Sequence, residues 1–307
     1  MPKKIPKILV LNTGGTITMK RTADGLKNEK KYFGNLFKSK FYKLEDEMSI
    51  VYNELSELLD SSLATFRLFA KILKYIEKSF LEYDRFVILF GTDTITYAAC
   101  FIHYFMKNIT KPIIFTGKML PITECENGWS QLEKCLRFET KGIHISIEDN
   151  FYLPMFLNKL HTSEFNSFVY NLPVNYKTES NFTNTLPIFN YKYTTKIGII
   201  KMSPNISFNT MKYIFLKSKA VVIIGYGSST LLLTEKIKKL LKNSQIPIVI
   251  TTECYLGSTC QHYEAMKKTK SDKIFFGGYH SVASIVMALS YCIGNNRDIC
   301  EFFKHTD

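Results

Sequence analysis

The sequence lacks long apolar runs and paired cysteine motifs. No run approaches the roughly 18 residues that a membrane helix needs, because the best candidate, AVVIIGYG, is interrupted at Gly225. The seven cysteines are odd in number and form no Cys-x-x-Cys pair, so neither a disulfide framework nor a metal site is indicated. We therefore expect a soluble, unexported protein with reduced thiols and no bound metal, located in the cytoplasm.

Acidic residues are scarce relative to basic ones. The chain has 27 Asp and Glu against 40 Lys and Arg, a net charge of +13. Such an excess can indicate nucleic-acid binding. Here the lysines occur in short doublets mixed with acids, as in EKIKKLLKN, without a recognisable nucleic-acid motif. We interpret them as solvated helix faces and loops, and we expect neither a nucleic acid nor a membrane as partner.

The glycine fingerprints of nucleotide-binding proteins are absent as well. Neither Gly-x-Gly-x-x-Gly nor Gly-x-x-x-x-Gly-Lys-Thr occurs, which argues against a dinucleotide-binding Rossmann protein. We expect no cofactor.

Short apolar runs, several of them separated by helical patterns, recur along the chain. Residues 95–108 and 231–243 have apolar side chains at helical spacing. The alternation of continuous apolar strands with helices predicts an α/β fold with parallel sheets covered on both faces. The predicted strands are residues 8–11, 86–90, 112–115, 142–147, 197–202, 221–224, 247–251 and 273–276.

One polar segment breaks this alternation. Residues 171–196 contain two prolines and show no clear period, which is typical of a linker. We predict an N-terminal catalytic α/β domain at 1–180, a linker at 181–195 and a smaller C-terminal α/β domain at 196–307.

Three turns that follow predicted strands combine glycine with threonine. They are NTGGTI after the first strand, FGTDTI from Phe90 and FTGKMLP from Phe115. A threonine or aspartate in any one turn could simply cap the next helix. Because ligands of open α/β sheets bind beyond the carboxyl ends of the strands, the three turns together predict a site for a small polar substrate. A threonine hydroxyl there needs a nearby base to act as a nucleophile.

The motifs TGGTI, GTDT and KPIIFTGKMLP together resemble the L-asparaginase family, the bacterial-type threonine amidohydrolases, and most of all its cytoplasmic branch. LLDSSL at 58–63 and KLHTSEFNSF at 159–168 extend the resemblance, which covers nearly the whole chain. It implies a two-domain asparaginase-like fold, with a larger N-terminal doubly wound sheet and a smaller C-terminal parallel sheet. It further implies hydrolysis of L-asparagine to L-aspartate and ammonia without a metal, by a homodimer or homotetramer.

The resemblance also implies roles for individual residues. Thr16 would attack the side-chain amide carbon, and Thr92 would be the second catalytic threonine. Lys159 would contact Thr92, with Asp93 beside it, and Asp93 would also hold the α-ammonium group of the substrate. Ser61, with Asp60 and Ser62 adjacent, would bind the α-carboxylate and amine end. Backbone N–H groups of the glycine turns would stabilise the oxyanion.

The sequence departs from the family pattern at several positions outside these residues. The mobile N-terminal loop of the family carries a tyrosine after a glycine, whereas Leu26 follows Gly25 here, with Tyr32 six residues on. Losing such a general acid–base group typically lowers a rate by about 10² to 10⁴. The other departures are Phe90 where histidine is usual, Asn127 where aspartate is usual and Ala283 where an acidic residue is usual. Ser228, Ser229 and Thr230 stand where family members often have an asparagine near the site of a neighbouring subunit. We expect His161 to be structural.

These departures keep a second class of function open. The alternative is a catalytically weak or inactive asparaginase-like protein that binds an amino acid. The related amidotransferase subunit that acts on glutamyl-tRNA is disfavoured, because that subunit carries an extra domain before its TGGT motif and only 12 residues precede Thr13 here.

Overall fold

Each apolar run forms a strand, as predicted from the sequence. The computed structural model describes residues 5–162, 167–174, 176, 185–259 and 271–303. The strands are β1 (Lys7–Gly14), β2 (Lys20–Thr22), β3 (Gly25–Lys27), β4 (Ser49–Leu59), β5 (Arg85–Leu89), β6 (Met106–Lys107), β7 (Pro112–Thr116), β8 (Gly142–Ile147), β9 (Asn150–Tyr152), β10 (Leu157–Lys159), β11 (Phe168–Tyr170), β12 (Ile188–Phe189), β13 (Ile197–Lys201), β14 (Ala220–Gly225), β15 (Ile248–Thr252) and β16 (Ile274–Phe276).

Helices alternate with these strands in both halves of the chain. They are α1 (Tyr32–Phe41), α2 (Phe66–Ser79), α3 (Ile95–Phe105), α4 (Gly128–Arg137), α5 (Phe208–Lys217), α6 (Glu235–Lys242), α7 (Val282–Asn295) and α8 (Cys300–Phe303). Within the described ranges, none of them is long and apolar enough to span a bilayer.

A six-stranded sheet in the order β4-β1-β5-β7-β8-β9 forms the first of two compact units. Its strands run parallel except for β9, which pairs antiparallel with β8. The sequence analysis did not predict β4. This strand lies at the sheet edge and most of its side chains are only half-buried or exposed, so it lacks the continuous apolar run of a central strand.

Both faces of this sheet are covered. The ring of Phe69 on α2 lies 6.3 Å from that of Phe90 and 5.8 Å from that of Phe101 on α3. On the other face of the sheet, α1 and α4 contribute to a buried hydrophobic cluster. It includes Val10, Phe33, Phe37, Val87, Ile114 and Leu132. Packing on both faces explains why the central strands are continuously apolar.

A four-stranded parallel sheet in the order β13-β14-β15-β16 forms the second unit. The buried residues Met211 and Phe215 of α5 and Ile237 and Leu241 of α6 share a core with these strands. The two-domain α/β fold expected from the sequence is therefore confirmed. The limits 1–180, 181–195 and 196–307 stay predictions.

The two predicted helical segments are shorter than their periodicity indicates. The first ends at Phe105, because the next two residues form β6 and pair antiparallel with β12. Asn108 then takes a positive φ of 56°. The second begins after Thr234, whose hydroxyl accepts a hydrogen bond from the Ile237 N–H at 3.4 Å and caps the helix. Local turn and capping chemistry sets these limits.

Candidate active site

The turns after β1 and β5 meet with their backbones in contact. Gly15 has a φ of 90°, and a Cβ at this position would overlap the backbone of Gly91. A Cβ on Gly91 would in turn overlap the side chain of Ser61. Glycine is therefore required where these segments approach each other. The approach brings the neighbourhoods of Thr16, Ser61 and Thr92 to one place in the first unit.

Lys159 hydrogen-bonds to two adjacent polar residues of the GTDT turn, Thr92 and Asp93. Its Nζ donates to Thr92 Oγ1 at 3.1 Å and to Asp93 Oδ1 at 2.5 Å. Thr92 is buried, while the side chains of Lys159 and Asp93 are 23% and 57% exposed. A cation, a hydroxyl and a carboxylate thus form a chain from the protein interior to the surface. The catalytic roles assigned to them from the sequence stay predictions.

The hydroxyl of Thr92 also has a partner that the sequence analysis missed. Thr92 Oγ1 donates to the thioether sulfur of Met119, at 3.1 Å. Met119 belongs to the turn after β7, the third of the predicted turns. A thioether is a weak acceptor, so this bond orients the hydroxyl and can be exchanged for a stronger one when a ligand enters. The TGKMLP motif contained the residue, but no sequence rule marked it.

The two threonines of the first turn have different environments. Thr13 is buried, and its Oγ1 donates to the Leu89 carbonyl of β5 at 2.7 Å. Thr16 is half-buried and begins a 3₁₀ turn. Thr13 therefore ties two strands together, and Thr16 is the more accessible hydroxyl.

Two of the glycine amides expected to stabilise an oxyanion are already engaged. The Gly14 N–H donates to Asn12 Oδ1 at 2.8 Å, and the Gly15 N–H donates to the Leu59 carbonyl at 3.0 Å. In this conformation neither amide is free to donate to another group, and the expectation of oxyanion donors, which named no individual amide, stays a prediction. Their bonds instead fix the shape of the turn that carries Thr16.

Asp60, Ser61 and Ser62 form a short turn after β4. The carboxylate of Asp60 accepts a hydrogen bond from the Ser62 N–H at 2.9 Å and so caps a 3₁₀ turn. Ser61 is buried, and its carbonyl accepts from Thr94 Oγ1 at 2.7 Å. Asp60 and Ser62 are exposed. Ser61 is thus the member of the trio that lies against the GTDT turn.

Leu26 lies on an exposed hairpin formed by β2 and β3, opposite Arg21. The guanidinium of Arg21 makes a bidentate ion pair with Glu124, with distances of 2.8 and 2.6 Å. Tyr32 is the first residue of α1, and its ring centroid lies 5.5 Å from Lys20 Nζ. The hairpin thus presents an apolar side chain where the resemblance leads one to expect a tyrosine.

Two of the other departures have structural explanations. Phe90 is buried and its ring lies 6.2 Å from that of Phe115, so an apolar residue suits the position. Ala283 is buried in the first turn of α7. His161, expected to be structural, is exposed, and its backbone N–H donates a hydrogen bond to the Ser167 carbonyl at 3.1 Å.

A separate cavity of about 150 Å³ lies in the second unit, at the carboxyl ends of β14 and β15. His280 lines it, with its ring centroid 5.1 Å from Phe156 and 5.7 Å from Phe303. Burial among these groups lowers the pKa of His280 to about 4, so the ring is neutral at pH 7. Among the residues that the structure describes, no group of three or more His, Cys, Asp or Glu side chains is placed to hold a metal ion.

Comparison with known proteins gives relatives across both units. An L-asparaginase of Thermococcus kodakarensis is 26% identical over 97% of this chain and 96% of its own. L-asparaginase 1 of Escherichia coli strain K12 is 28% identical over 74% of this chain and 72% of its own. The solved thermostable L-asparaginase from Thermococcus kodakarensis superposes with a TM-score of 0.85 at 25% identity, over 97% of this chain and 96% of its own.

Family models match both units as well. The model described as "Asparaginase, N-terminal" matches residues 7–185, and the "Glutaminase/Asparaginase C-terminal domain" matches residues 196–304. The first match alone covers more than half of the chain. The chain therefore belongs to the asparaginase family of amidohydrolases.

Proposed function

We propose that the protein is an L-asparagine amidohydrolase, which converts L-asparagine to L-aspartate and ammonia. The observation that carries the proposal is the bonding of Lys159 Nζ to both Thr92 Oγ1 and Asp93 Oδ1. The site lies where the turns after β1 and β5 meet. L-asparaginases matched over nearly the full chain support the choice of substrate.

In the proposed reaction the Thr16 hydroxyl attacks the side-chain amide carbon of the substrate. The hydroxyl proton is passed on to the departing nitrogen, which leaves as ammonia, and an aspartyl ester of Thr16 remains. Water then attacks the ester, releases L-aspartate and returns the proton to Thr16. Splitting the hydrolysis into two steps through a covalent ester lowers the barrier of each.

Thr92, Lys159 and Asp93 serve as the proton-transfer group. The Lys159 amine donates one hydrogen bond to each of the other two side chains in the described state. When the amine is neutral, it accepts the hydrogen bond from the Thr92 hydroxyl. As Thr92 Oγ1 takes a proton from the attacking water, the proton of Thr92 passes to the lysine amine. Asp93 holds the amine in place through either state.

The same segments supply the proposed substrate-binding groups. Asp93 is half-exposed, so its carboxylate can also receive the α-ammonium group of the substrate. Ser61, flanked by Asp60 and Ser62, binds the α-carboxylate end. Thr92 serves both in binding and in proton transfer.

We further propose that the protein is a cytoplasmic homodimer or homotetramer that acts on a small molecule. Six cysteines in the described part of the chain are not in disulfides, which suits a reducing compartment. Ile199 on the edge strand β13 is 45% exposed, and Tyr213 and Leu216 on α5 are 63% and 73% exposed. Exposed apolar groups favour association with another chain where they form a contiguous patch.

An ammonia-release assay tests the proposal. L-asparagine is incubated with the wild-type protein and with Thr16→Ala, Thr92→Val and Thr65→Ala. Thr65 precedes α2 and makes no side-chain capping bond, so its variant is a matched control for loss of a threonine hydroxyl. We expect wild-type turnover, at least a 100-fold loss in the first two variants and little change in the control. Full activity of Thr16→Ala would exclude Thr16 as the nucleophile.

The second candidate is a protein of the same fold that binds the amino acid with little or no turnover. Leu26 on the exposed hairpin favours it, because leucine cannot transfer a proton. Calorimetric binding of L-asparagine or L-aspartate without detectable ammonia release would establish this candidate and overturn the first.

A further inference from the structure

A buried lysine lies in the turn after β7, and its amine bonds to side chains other than those proposed to be catalytic. The side chain of Lys118 is 1% exposed. Its Nζ donates to Glu148 Oε1 at 2.8 Å and to Asn127 Oδ1 at 2.9 Å. Burying an ammonium group is costly unless it is paired and hydrogen-bonded. The hydrogen bonds that stabilise the buried Lys118 ammonium therefore also hold this turn in a fixed position.

Asn127 hydrogen-bonds to both Lys118 and Glu148, so the three side chains form a closed ring of hydrogen bonds. Its Oδ1 accepts from Lys118, while its Nδ2 donates to Glu148 Oε2 at 2.8 Å. A side-chain amide can perform both tasks, whereas an aspartate could only accept. Asn127 also lies at the N-cap of α4 without making the usual capping bond. Its polar atoms thus serve the ring rather than the helix.

Glu148 is held in an unusual conformation at the same place. It lies in the turn between β8 and β9 and has a positive φ of 51°. A residue with a Cβ adopts this region at some cost. The ring bonds to Lys118 and Asn127 help to hold the residue there, so three separate segments are joined through one network.

Both sequence neighbours of Lys118 lie against Thr92. A Cβ on Gly117 would overlap the Phe90 carbonyl and lie 3.4 Å from Thr92 Cγ2. On the other side, Met119 accepts the hydrogen bond from the Thr92 hydroxyl at 3.1 Å. A shift of the backbone at Lys118 would therefore move the groups that pack against the methyl and the hydroxyl of Thr92.

We propose that Lys118, held by Glu148 and Asn127, is a positioning residue that sets the orientation of the Thr92 hydroxyl. The inference rests on the proposed function, because Thr92 is assigned there to proton transfer. Lys118 acts through Gly117 and Met119 and does not touch the reacting atoms. A misplacement of a catalytic group by about 1 Å can lower turnover about 100-fold.

The test removes both charges of the pair at once. Lys118→Met combined with Glu148→Gln leaves no unpaired buried charge, so the variant avoids the main reason for misfolding. The matched control is Lys134→Met with Asp149→Asn. That exposed ion pair, 2.6 Å long, likewise connects α4 to the turn between β8 and β9 but does not involve residues 117–119. Asn127→Asp is a third, isosteric variant, which places two carboxylates side by side.

Three measurements are made on each variant: the thermal unfolding midpoint, kcat and KM for L-asparagine, and a crystal structure. For the Lys118–Glu148 double variant we expect kcat to fall about 10- to 100-fold, with a smaller rise in KM because Thr92 is also proposed to bind the substrate. For the control we expect wild-type values. The structure of the double variant should show the Thr92 Oγ1 to Lys159 Nζ separation increased from 3.1 Å.

The outcomes separate this proposal from the one on which it rests. A folded double variant with wild-type kcat and an unmoved Thr92 overturns the positioning role. If the wild-type protein releases no ammonia, the proposed function fails, and the crystal structures alone decide whether Lys118 positions Thr92. If Asn127→Asp and the double variant displace Thr92 while the control does not, the positioning role stands.

Discussion

Replacing Lys159 by methionine should abolish most of the activity while leaving the fold almost as stable as before. Methionine keeps much of the apolar stem but has no amine. The variant loses the bonds to Thr92 at 3.1 Å and to Asp93 at 2.5 Å. Loss of a general acid–base group typically lowers the rate by about 10² to 10⁴. That range corresponds to about 3 to 5 kcal/mol of transition-state stabilisation.

The expected effect on stability is much smaller, because both side chains of the ion pair are partly exposed to solvent. The side chains of Lys159 and Asp93 are 23% and 57% exposed. An ion pair of this kind typically contributes at most about 1 kcal/mol to the free energy of unfolding. The variant should therefore separate a large loss of kcat from a small change in stability.

The assay measures ammonia release, with kcat and KM determined separately, alongside urea unfolding. Lys238→Met is the control, because Lys238 makes a comparable exposed ion pair with Glu235 at 2.7 Å in the second unit. Lys159→Arg adds a sharper comparison. Arginine keeps the charge and the pairing to Asp93 but cannot give up its proton at neutral pH, so its kcat should be as low as that of the methionine variant.

Two results would refute this reasoning. If Lys159→Met retains more than a tenth of wild-type kcat, the amine takes no part in proton transfer. If Lys159→Arg is fully active while Lys159→Met is not, the charge alone matters, and the lysine stabilises Asp93 or the substrate electrostatically.

Two further predictions concern stability. Gly15→Ala should destabilise the fold by at least about 3 kcal/mol and abolish activity, because the new Cβ would overlap Gly91. Gly25→Ala, at a φ of 119° with open space around it, should lower the free energy of unfolding by only about 1 to 2 kcal/mol. Equal losses of unfolding free energy in the two variants, measured by urea unfolding, would contradict the packing argument. The pKa of His280 falls from 6.5 to about 4 on folding, so the unfolded state binds more protons between these values. Stability should therefore fall as the pH drops through this window, and His280→Asn should weaken that dependence; an unchanged pH profile would refute it.

The strands and the glycine turns could be predicted from the sequence because their signals are local. A run such as residues 86–90 is continuously apolar, since both faces of the sheet are covered. The turn at Thr13–Thr16 places glycine where backbones touch. Helix limits were harder to predict, because β6 and Asn108 end α3 through pairing and a positive φ that no periodicity records.

The contacts within the candidate site depend on separations that a pattern does not encode. Lys159 is 67 residues from Thr92 in the chain, and only the resemblance to a known family brought the two together at the level of sequence. Met119 was present in a quoted motif but carried no chemical signal. The difference between Thr13 and Thr16 likewise follows from the fold, because Thr13 Oγ1 finds the Leu89 carbonyl of a neighbouring strand.

Two lysines of the first unit, Lys118 and Lys159, show why residue type alone cannot assign a role. Lys118 is enclosed, and both bonds of its Nζ lie within a ring formed with Asn127 and Glu148, so its charge is neutralised in place. Lys159 is partly exposed, and its Nζ donates hydrogen bonds to the Thr92 hydroxyl and to the Asp93 carboxylate, which solvent can reach. The Lys159 amine thus pairs with a carboxylate that is open to solvent, whereas the Lys118 amine is enclosed in the network that holds the turn. We therefore propose that the chemistry of the site belongs to Lys159 and that its geometry depends on Lys118.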